Sequence, residues 1–486
     1  MSFDSALEEL AERALAEGWE EAALAELRPA AQRIGQARLW QWVALLHRSL
    51  DEHEQALAAF AEASGLDPGN GSIAHGLARV RLEAGLDARK EFDVALRLQP
   101  SGEVLLGRAA ARYAAGEGVD AARELSAVLG RNPKWGEGHV QWAQLSSMIG
   151  QPEMSCATVD RALAEFPGET GLWQAAMRIL TSARRHEDAW RYADRAISAT
   201  ADKGAFALNR AAALSDAGEL SLAEQAFAEL GEPARVDHAI RLARHHIRAG
   251  RKDRLVALAD RWMEGDHAHQ FWPYASIAWR QSGDPRWQRL EGDPRLVQIF
   301  DLSDKLPLFD DLAAMLRRLH AGSGRFLDQS VRGGTQTDGP LLSRIEPEIR
   351  ALRAAIVDAV EAYREQLPPI DPSHPMLRHR RSGRVRFAGS WSVRLSDAGF
   401  HSAHVHPQGW ISSAFYVALP ETRNDEEGWL VLGEPHEDLS SGLGPTRKIE
   451  PRTGQLVLFP SMMWHGTRPF PKGERMTVAF DVAPPR

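Results

Sequence analysis

Three histidines near the end of the sequence have the spacing of metal ligands. His404 and His406 are two residues apart in a segment predicted to be extended, so both imidazoles project from one face and can reach one ion. His465 follows the apolar run 455–459 and a proline, a pattern that predicts a buried strand ending in a turn. We predict that these three histidines bind one metal ion.

An Arg-x-Thr motif follows the histidines. Arg475 and Thr477 lie at the start of the last apolar run, ten residues beyond His465, and would share one face of a strand. A guanidinium group and a hydroxyl can bind one carboxylate of a small dicarboxylate, while the other end of that molecule contacts the metal. The alternative is a surface arginine on an edge strand.

The histidine pair, the distal histidine and the Arg-x-Thr motif together resemble the pattern of iron(II)/2-oxoglutarate oxygenases. Flanking segments 390–395, 410–417 and 458–461 resemble those of 2-oxoglutarate oxygenases that carry tetratricopeptide repeats in front of the catalytic domain. The resemblance implies an enzyme, a 2-oxoglutarate-dependent dioxygenase that acts as a hydroxylase. It implies a double-stranded β-helix that binds Fe(II), with 2-oxoglutarate and O₂ as co-substrates and succinate and CO₂ as products.

The sequence departs from the family pattern at His406, where the oxygenases have Asp or Glu. A third imidazole keeps three ligands but removes one negative charge, which leaves the identity of the metal open. Alternatively, His404 and His465 alone hold iron, and His406 lies outside them. A cupin-type metalloenzyme is a further alternative, but cupins usually have Glu about four residues after the histidine pair, where this sequence has Trp410 and Ile411. A non-enzymatic repeat adaptor with a degenerate metal-binding β-domain also stays open.

Four more residues are candidates for ligand binding. Arg394 and Tyr416 lie on the predicted strands before and after the histidine pair, and we expect them to contact 2-oxoglutarate. Arg332 and Gln336 lie in a Gly-containing segment, residues 330–337, which is interpreted as a loop over the active-site mouth. We expect these two side chains to bind substrate.

Short β-branched or aromatic runs must position these residues. After Arg384 they recur between turn residues and predict five strands: 387–395, 410–419, 429–432, 455–459 and 476–482. Such spacing favours a sandwich or barrel, and amphipathic helices near 311–320 and 346–366 would cover one sheet. These strands predict an all-β domain over residues 301–486 with flanking helices, and the family resemblance implies that it is a double-stranded β-helix (jelly-roll).

Residues 1–300 show an internal repeat. Ala56, Phe60 and Ala63, followed by Pro68, recur about every thirty-three residues as small or apolar positions ending in a proline. The spacing resembles tetratricopeptide repeats and predicts an α-helical solenoid, whose concave groove commonly binds peptide segments. Aromatic residues between 262 and 287 are expected to seal its end. No metal is expected at the nearby histidines, which are His245, His246, His267 and His269.

Composition limits the partners. Asp and Glu outnumber Lys and Arg by 66 to 58, and the whole excess lies in residues 1–300, so nucleic acid is not expected as a partner. A single cysteine and the lack of a leader or an apolar span predict a cytoplasmic protein without membrane contact. We expect a protein or peptide substrate, of basic character, to be bound by the repeats. The sequence leaves the oligomeric state open.

Overall fold

The computed structural model describes residues 3–322, 324, 327, 330–379, 381–420 and 426–485. The chain divides into two compact units. The first comprises Met1–Leu125, Asp338–Ile356 and Pro485–Arg486, and the second comprises Ser126–Thr337 and Val357–Pro484. The second unit thus contains the later repeats together with all nine strands of the described residues. A domain boundary at residue 300 stays a prediction.

Most of the described residues before position 300 are helical. No helix in the described ranges has the length and apolar character needed to cross a membrane. The twenty α-helices of these ranges are α1 Phe3–Glu17, α2 Glu20–Ile34, α3 Ala37–Ser49, α4 His53–Leu66, α5 Gly71–Glu83, α6 Arg89–Leu98, α7 Gly102–Ala114, α8 Gly118–Arg131, α9 Gly136–Met148, α10 Ala157–Glu165, α11 Thr170–Ser182, α12 His186–Ala199, α13 Ala207–Asp216, α14 Leu220–Leu230, α15 Val236–Arg248, α16 Lys252–Trp262, α17 Ala268–Ser282, α18 Arg286–Glu291, α19 Phe309–Ala321 and α20 Pro347–Gln366.

The repeat predicted from the sequence is confirmed as a series of helical hairpins. The recurring prolines lie two residues beyond the ends of α4, α6, α8 and α10, where they cannot interrupt a helix. Phe60 and Phe92 are both buried, and each packs against a glycine of the next helix. A Cβ added to Gly76 would lie 2.4 Å from the Phe60 ring, and one added to Gly107 would lie 2.3 Å from the Phe92 ring. Successive repeats therefore use the same close helix crossing.

This crossing gives a test of the repeat packing. Gly76→Ala is expected to lower the free energy of unfolding by about 1–3 kcal/mol, because the new methyl group overlaps the buried Phe60 ring. Gly65→Ala is the matched control, since it places a methyl group in open space at an exposed position of α4. Urea unfolding followed by circular dichroism measures both. Equal stability of the two variants would contradict the proposed close packing.

The β-structure forms two antiparallel sheets. One has six strands in the order β1-β7-β4-β9-β3-β2, and the other has three in the order β6-β5-β8. The sequence-predicted double-stranded β-helix class is confirmed by this arrangement. The strands are β1 Gln298–Asp301, β2 Val331–Gln336, β3 Phe387–His401, β4 Ile411–Ala418, β5 Leu430–Leu432, β6 Arg447–Ile449, β7 Gln455–Pro460, β8 His465–Thr467 and β9 Arg475–Val482.

The interpretation of residues 330–337 as a loop is wrong, because β2 pairs with β3 at the edge of the large sheet. In the sequence, two glycines in this segment favoured the prediction of a loop over that of a strand. The pairing register shifts between Arg332 and Gly334, and Gly333 at this bulge has a φ of +69°. A Cβ on Gly333 would lie 3.0 Å from the backbone of Gly399, so glycine is needed for the close approach of the two strands.

The Trp-rich segment packs against the β-structure. Helix α17 contains Trp272, which is fully buried and donates a hydrogen bond to Glu291. Trp464, just before β8, donates to the carbonyl of Pro273 in α17 over 3.1 Å. The ring of Tyr274 meets Trp464 edge-on. Within the second unit, the last repeats and the strand that carries His465 thus share one core.

Candidate active site

Backbone pairing brings the three predicted metal ligands together. The amide of His404 donates to the carbonyl of His465 over 2.9 Å, and the reverse bond measures 3.0 Å. The amide of His406 donates to the carbonyl of Ser461, just before β8. The segment after β3 is thereby held beside β8, so histidines distant in sequence face the same space.

The three imidazoles form a compact group. The ring centroid of His404 lies 4.3 Å from that of His465 and 4.9 Å from that of His406, and His406 lies 4.9 Å from His465. One ring nitrogen of each lies within 4.8 Å of the others. Burial, followed by the neighbouring histidines, holds the pKa of His404 and His465 well below the usual range. Both are therefore neutral at pH 7, the form that binds metals.

Hydrogen bonds set the orientation of all three rings. Nδ1 of His404 donates to the carbonyl of Ser402 over 2.8 Å, and Nδ1 of His465 donates to the carbonyl of Met463 over 2.9 Å. Because carbonyls only accept, the proton of each ring is on Nδ1 and the lone pair is on Nε2. Outward Nδ1 bonds of this kind are the usual support of metal-binding histidines. The donor set fits Fe(II), and it fits other imidazole-binding transition metals as well.

His406 is supported by a carboxylate that the sequence analysis missed. Nδ1 of His406 lies 2.7 Å from both carboxylate oxygens of Asp481, which is 7% exposed and also accepts a bond from the Ser412 hydroxyl. The nearby carboxylate therefore places negative charge behind the imidazole that stands at the family's Asp or Glu position. The sequence could have indicated Asp481 as a site residue. It lies an even number of residues after Arg475 and Thr477 in the predicted strand and therefore shares their face.

Asp481→Asn is expected to weaken Mn(II) or Co(II) binding about 10- to 100-fold, as is typical when the hydrogen-bond partner of a metal-binding histidine is changed. The amide removes the negative charge and can present an N–H to the ring. Ser412→Ala is the comparison variant, since it removes a hydroxyl that contacts both Asp481 and Nδ1 of His406 and leaves the carboxylate in place. Isothermal titration calorimetry measures both variants. Wild-type affinity in Asp481→Asn would mean that His406 needs no such support.

Arg475 and Thr477 line the same cavity as the three histidines. The Arg475 side chain is 2% exposed, donates from Nε to the carbonyl of Gly428 over 3.2 Å, and lies over the buried Tyr416 ring at 5.2 Å. Thr477 on β9 pairs directly with Tyr416 on β4. A buried guanidinium group and a hydroxyl thus line one cavity together with the three imidazoles.

Arg394 does not join this group. It donates from Nε to Glu474 over 2.7 Å, and Arg317 pairs with the same carboxylate. Its neighbour Val393 lines the cavity, and successive side chains of a strand point to opposite faces. Arg394 is therefore on the outer face of the large sheet.

The two predicted substrate residues lie on β2, outside the described cavity lining. Arg332 pairs with Phe400, next to His401, and Gln336 pairs with Val393. Gln336 is thus on the inner-face row of the sheet, whereas Arg332 shares a face with Phe400, and Val331 is the residue that pairs with His401. Their role in substrate binding stays a prediction.

His401 and Ser330 also contact the group, although the sequence analysis singled out neither of them. The His401 ring stacks on His404 at 5.9 Å and lines the cavity. The Ser330 hydroxyl lies 3.1 Å from Nδ1 of His401 and 3.5 Å from Nε2 of His404. Burial first, and then Arg475, lower the pKa of His401 to about 3, so this imidazole is neutral as well.

Comparison with known proteins identifies the region that holds this cavity. Residues 389–481 match the protein family described as "Putative 2OG-Fe(II) oxygenase". No curated protein matches the chain. The matched residues include the three histidines, Arg475 and Asp481. The chain thus combines tetratricopeptide-like repeats with a region that matches the 2-oxoglutarate/Fe(II) oxygenase family.

Solved structures resemble parts of the chain. A prolyl-4-hydroxylase from Pseudomonas putida is 17% identical, with a TM-score of 0.28 over 39% of this chain and 94% of that one. HygX from Streptomyces hygroscopicus, solved with nickel and 2-oxoglutarate, is 11% identical, with a TM-score of 0.27 over 39% and 83%. A tetratricopeptide repeat protein from Parabacteroides merdae is 17% identical, with a TM-score of 0.30 over 49% and 98%.

Proposed function

We propose that this protein is an Fe(II)/2-oxoglutarate-dependent oxygenase that hydroxylates a protein or peptide substrate bound by its repeats. One observation carries the proposal: three imidazoles with converging nitrogens share a cavity with a buried arginine and threonine. A metal site alone would need no buried guanidinium group. A buried, charge-assisted anion site beside it supports a co-substrate with a carboxylate at its far end.

Each side chain has a separate task in this proposal. His404, His406 and His465 hold the metal through Nε2, and their Nδ1 bonds keep the rings in place. Arg475 binds the distal carboxylate of 2-oxoglutarate, and the hydroxyl of Thr477 donates to the same group. Bound Fe(II) supplies the oxidative decarboxylation of 2-oxoglutarate by O₂, which yields succinate and CO₂ and hydroxylates a C–H bond of the substrate.

The packing of the cavity supports water exclusion during this reaction. Phe459 packs edge-on against His465 at 4.9 Å, and Trp391 lies 5.4 Å from His406. Both aromatic rings, together with Val393 and Leu430, line the cavity. In such an apolar enclosure, the attraction between Arg475 and a carboxylate is screened less than it is in water.

Release of succinate from 2-oxoglutarate by the full chain, with Fe(II) and ascorbate, tests the proposal. We expect turnover in wild type and none above background in a triple variant in which the three metal-binding histidines are replaced by alanine. The control replaces the exposed His267 by alanine and should keep turnover. Metal-loaded, folded protein that neither binds nor consumes 2-oxoglutarate would favour the adaptor alternative.

A further inference from the structure

Arginines gather where the later repeats meet the β-structure within the second unit. We define the arginine cluster as Arg184, which follows α11, together with Arg241, Arg244 and Arg248 of α15. Arg248 donates to the carbonyl of Asp438 over 2.9 Å. The guanidinium group of Arg184 lies 3.0 Å from Nε2 of His436 and pairs with the carboxylate of Asp438. The cluster thus contacts the segment that follows β5.

The cluster carries an excess of positive charge. Three of its four guanidinium groups form ion pairs, with two carboxylates: Asp438 pairs with Arg184, and Asp216 pairs with Arg248 at 2.6 Å and Arg244 at 3.5 Å. Burial, followed by the nearby arginines, lowers the pKa of His436 to about 4, so its imidazole adds no charge. Holding partly buried cations with too few anions is costly, and a negatively charged ligand offsets that cost.

Strand β5 links the cluster to the metal-binding histidines. Its last residue, Leu432, pairs with His465 on β8. His436 and Asp438, which contact the cluster, follow Leu432 by four and six residues. A substrate segment that runs from the metal along the segment after β5 would therefore reach the arginine cluster.

We propose that the arginine cluster binds acidic side chains of the peptide substrate, beside the residue that is oxidised. This inference rests on the proposed oxygenase function and names its substrate class. The net acidity of residues 1–300 alone suggests a basic substrate. However, exposed charges more than about 8 Å away are largely screened at physiological salt, so the cluster beside the site outweighs the distant carboxylates.

The test uses the full chain loaded with Mn(II) and two fluorescein-labelled decapeptides, one alternating Glu with Gly and the other Lys with Gly. Fluorescence anisotropy should show the Glu peptide binding at least about tenfold more tightly, with an affinity that falls as NaCl rises. Arg241→Gln and, separately, Arg184→Gln should each weaken its binding about tenfold. The control is Arg191→Gln, because that side chain is 56% exposed on α12 and pairs with Glu187 outside the cluster.

Several outcomes would overturn the inference. They are equal binding of the two peptides, or unchanged binding in both cluster variants after circular dichroism has shown them to be folded. Displacement of the Glu peptide by a lower concentration of single-stranded DNA would assign the cluster to nucleic acid instead. Mn(II) should also broaden the NMR signals of the bound Glu peptide, and their absence would place the peptide away from the metal. Succinate release without peptide, measured in parallel, tests the proposed function separately.

Discussion

Replacing His465 by alanine is expected to abolish stoichiometric binding of Fe(II) or Mn(II). Its Nε2 is one of three converging donors, and its Nδ1 bond to the carbonyl of Met463 fixes the ring in that position. Changing an outer hydrogen-bond partner typically costs 10- to 100-fold in metal affinity, so loss of a direct ligand should cost more than about 100-fold. Calorimetric titration of apo protein with Mn(II) measures the change.

His267→Ala is the matched control for this variant, because that ring is exposed in the repeat region and contacts Trp262. It should bind metal as wild type does. His404→Ala should resemble His465→Ala. If His465→Ala retains one tightly bound metal ion per chain, the site must lie elsewhere, and the oxygenase proposal would lose its main support.

Replacing Arg475 by glutamine is expected to weaken 2-oxoglutarate binding at least about 30-fold. Truncating one partner of a buried, hydrogen-bonded charge pair costs about 2–5 kcal/mol, and this guanidinium group is almost fully buried. Lysine should restore only part of the affinity, because a point charge lacks the planar fork that binds both carboxylate oxygens. Titration of the Mn(II)-loaded protein with 2-oxoglutarate measures the dissociation constants.

Metal affinity of Arg475→Gln should stay close to that of wild type, which separates loss of the anion site from general unfolding. Arg452→Gln is the control, since that arginine is 73% exposed in the turn before β7. Wild-type binding of 2-oxoglutarate by Arg475→Gln would mean that its distal carboxylate binds another group, and Arg394 would then need testing despite its ion pair with Glu474.

The sequence was most informative where a pattern is local. The repeat follows from small residues and prolines at a fixed period, because each helical hairpin is set by its own turn and crossing residues. The helix that ends before Leu367 and the strands β4, β5, β7 and β9 were predicted in the same way. The evidence for them was the spacing of apolar residues and the turn residues or prolines at the ends of each element. Strand β2 was missed because its two glycines resemble a loop, and only its ladder with β3 makes it a strand.

For the site, the sequence by itself determined the chemical types: three imidazoles, one guanidinium group and one hydroxyl at spacings that suit a metal and a dicarboxylate. Tertiary structure alone decided which carboxylate stands behind His406, since Asp481 reaches it only through the pairing of β4 with β9. It also placed Arg394 on the outer face of the sheet and brought Arg184, which follows α11, to the same segment after β5 that Arg248 of α15 contacts. These contacts join residues distant in the chain, so their strength depends on distance and burial, which sequence spacing does not encode.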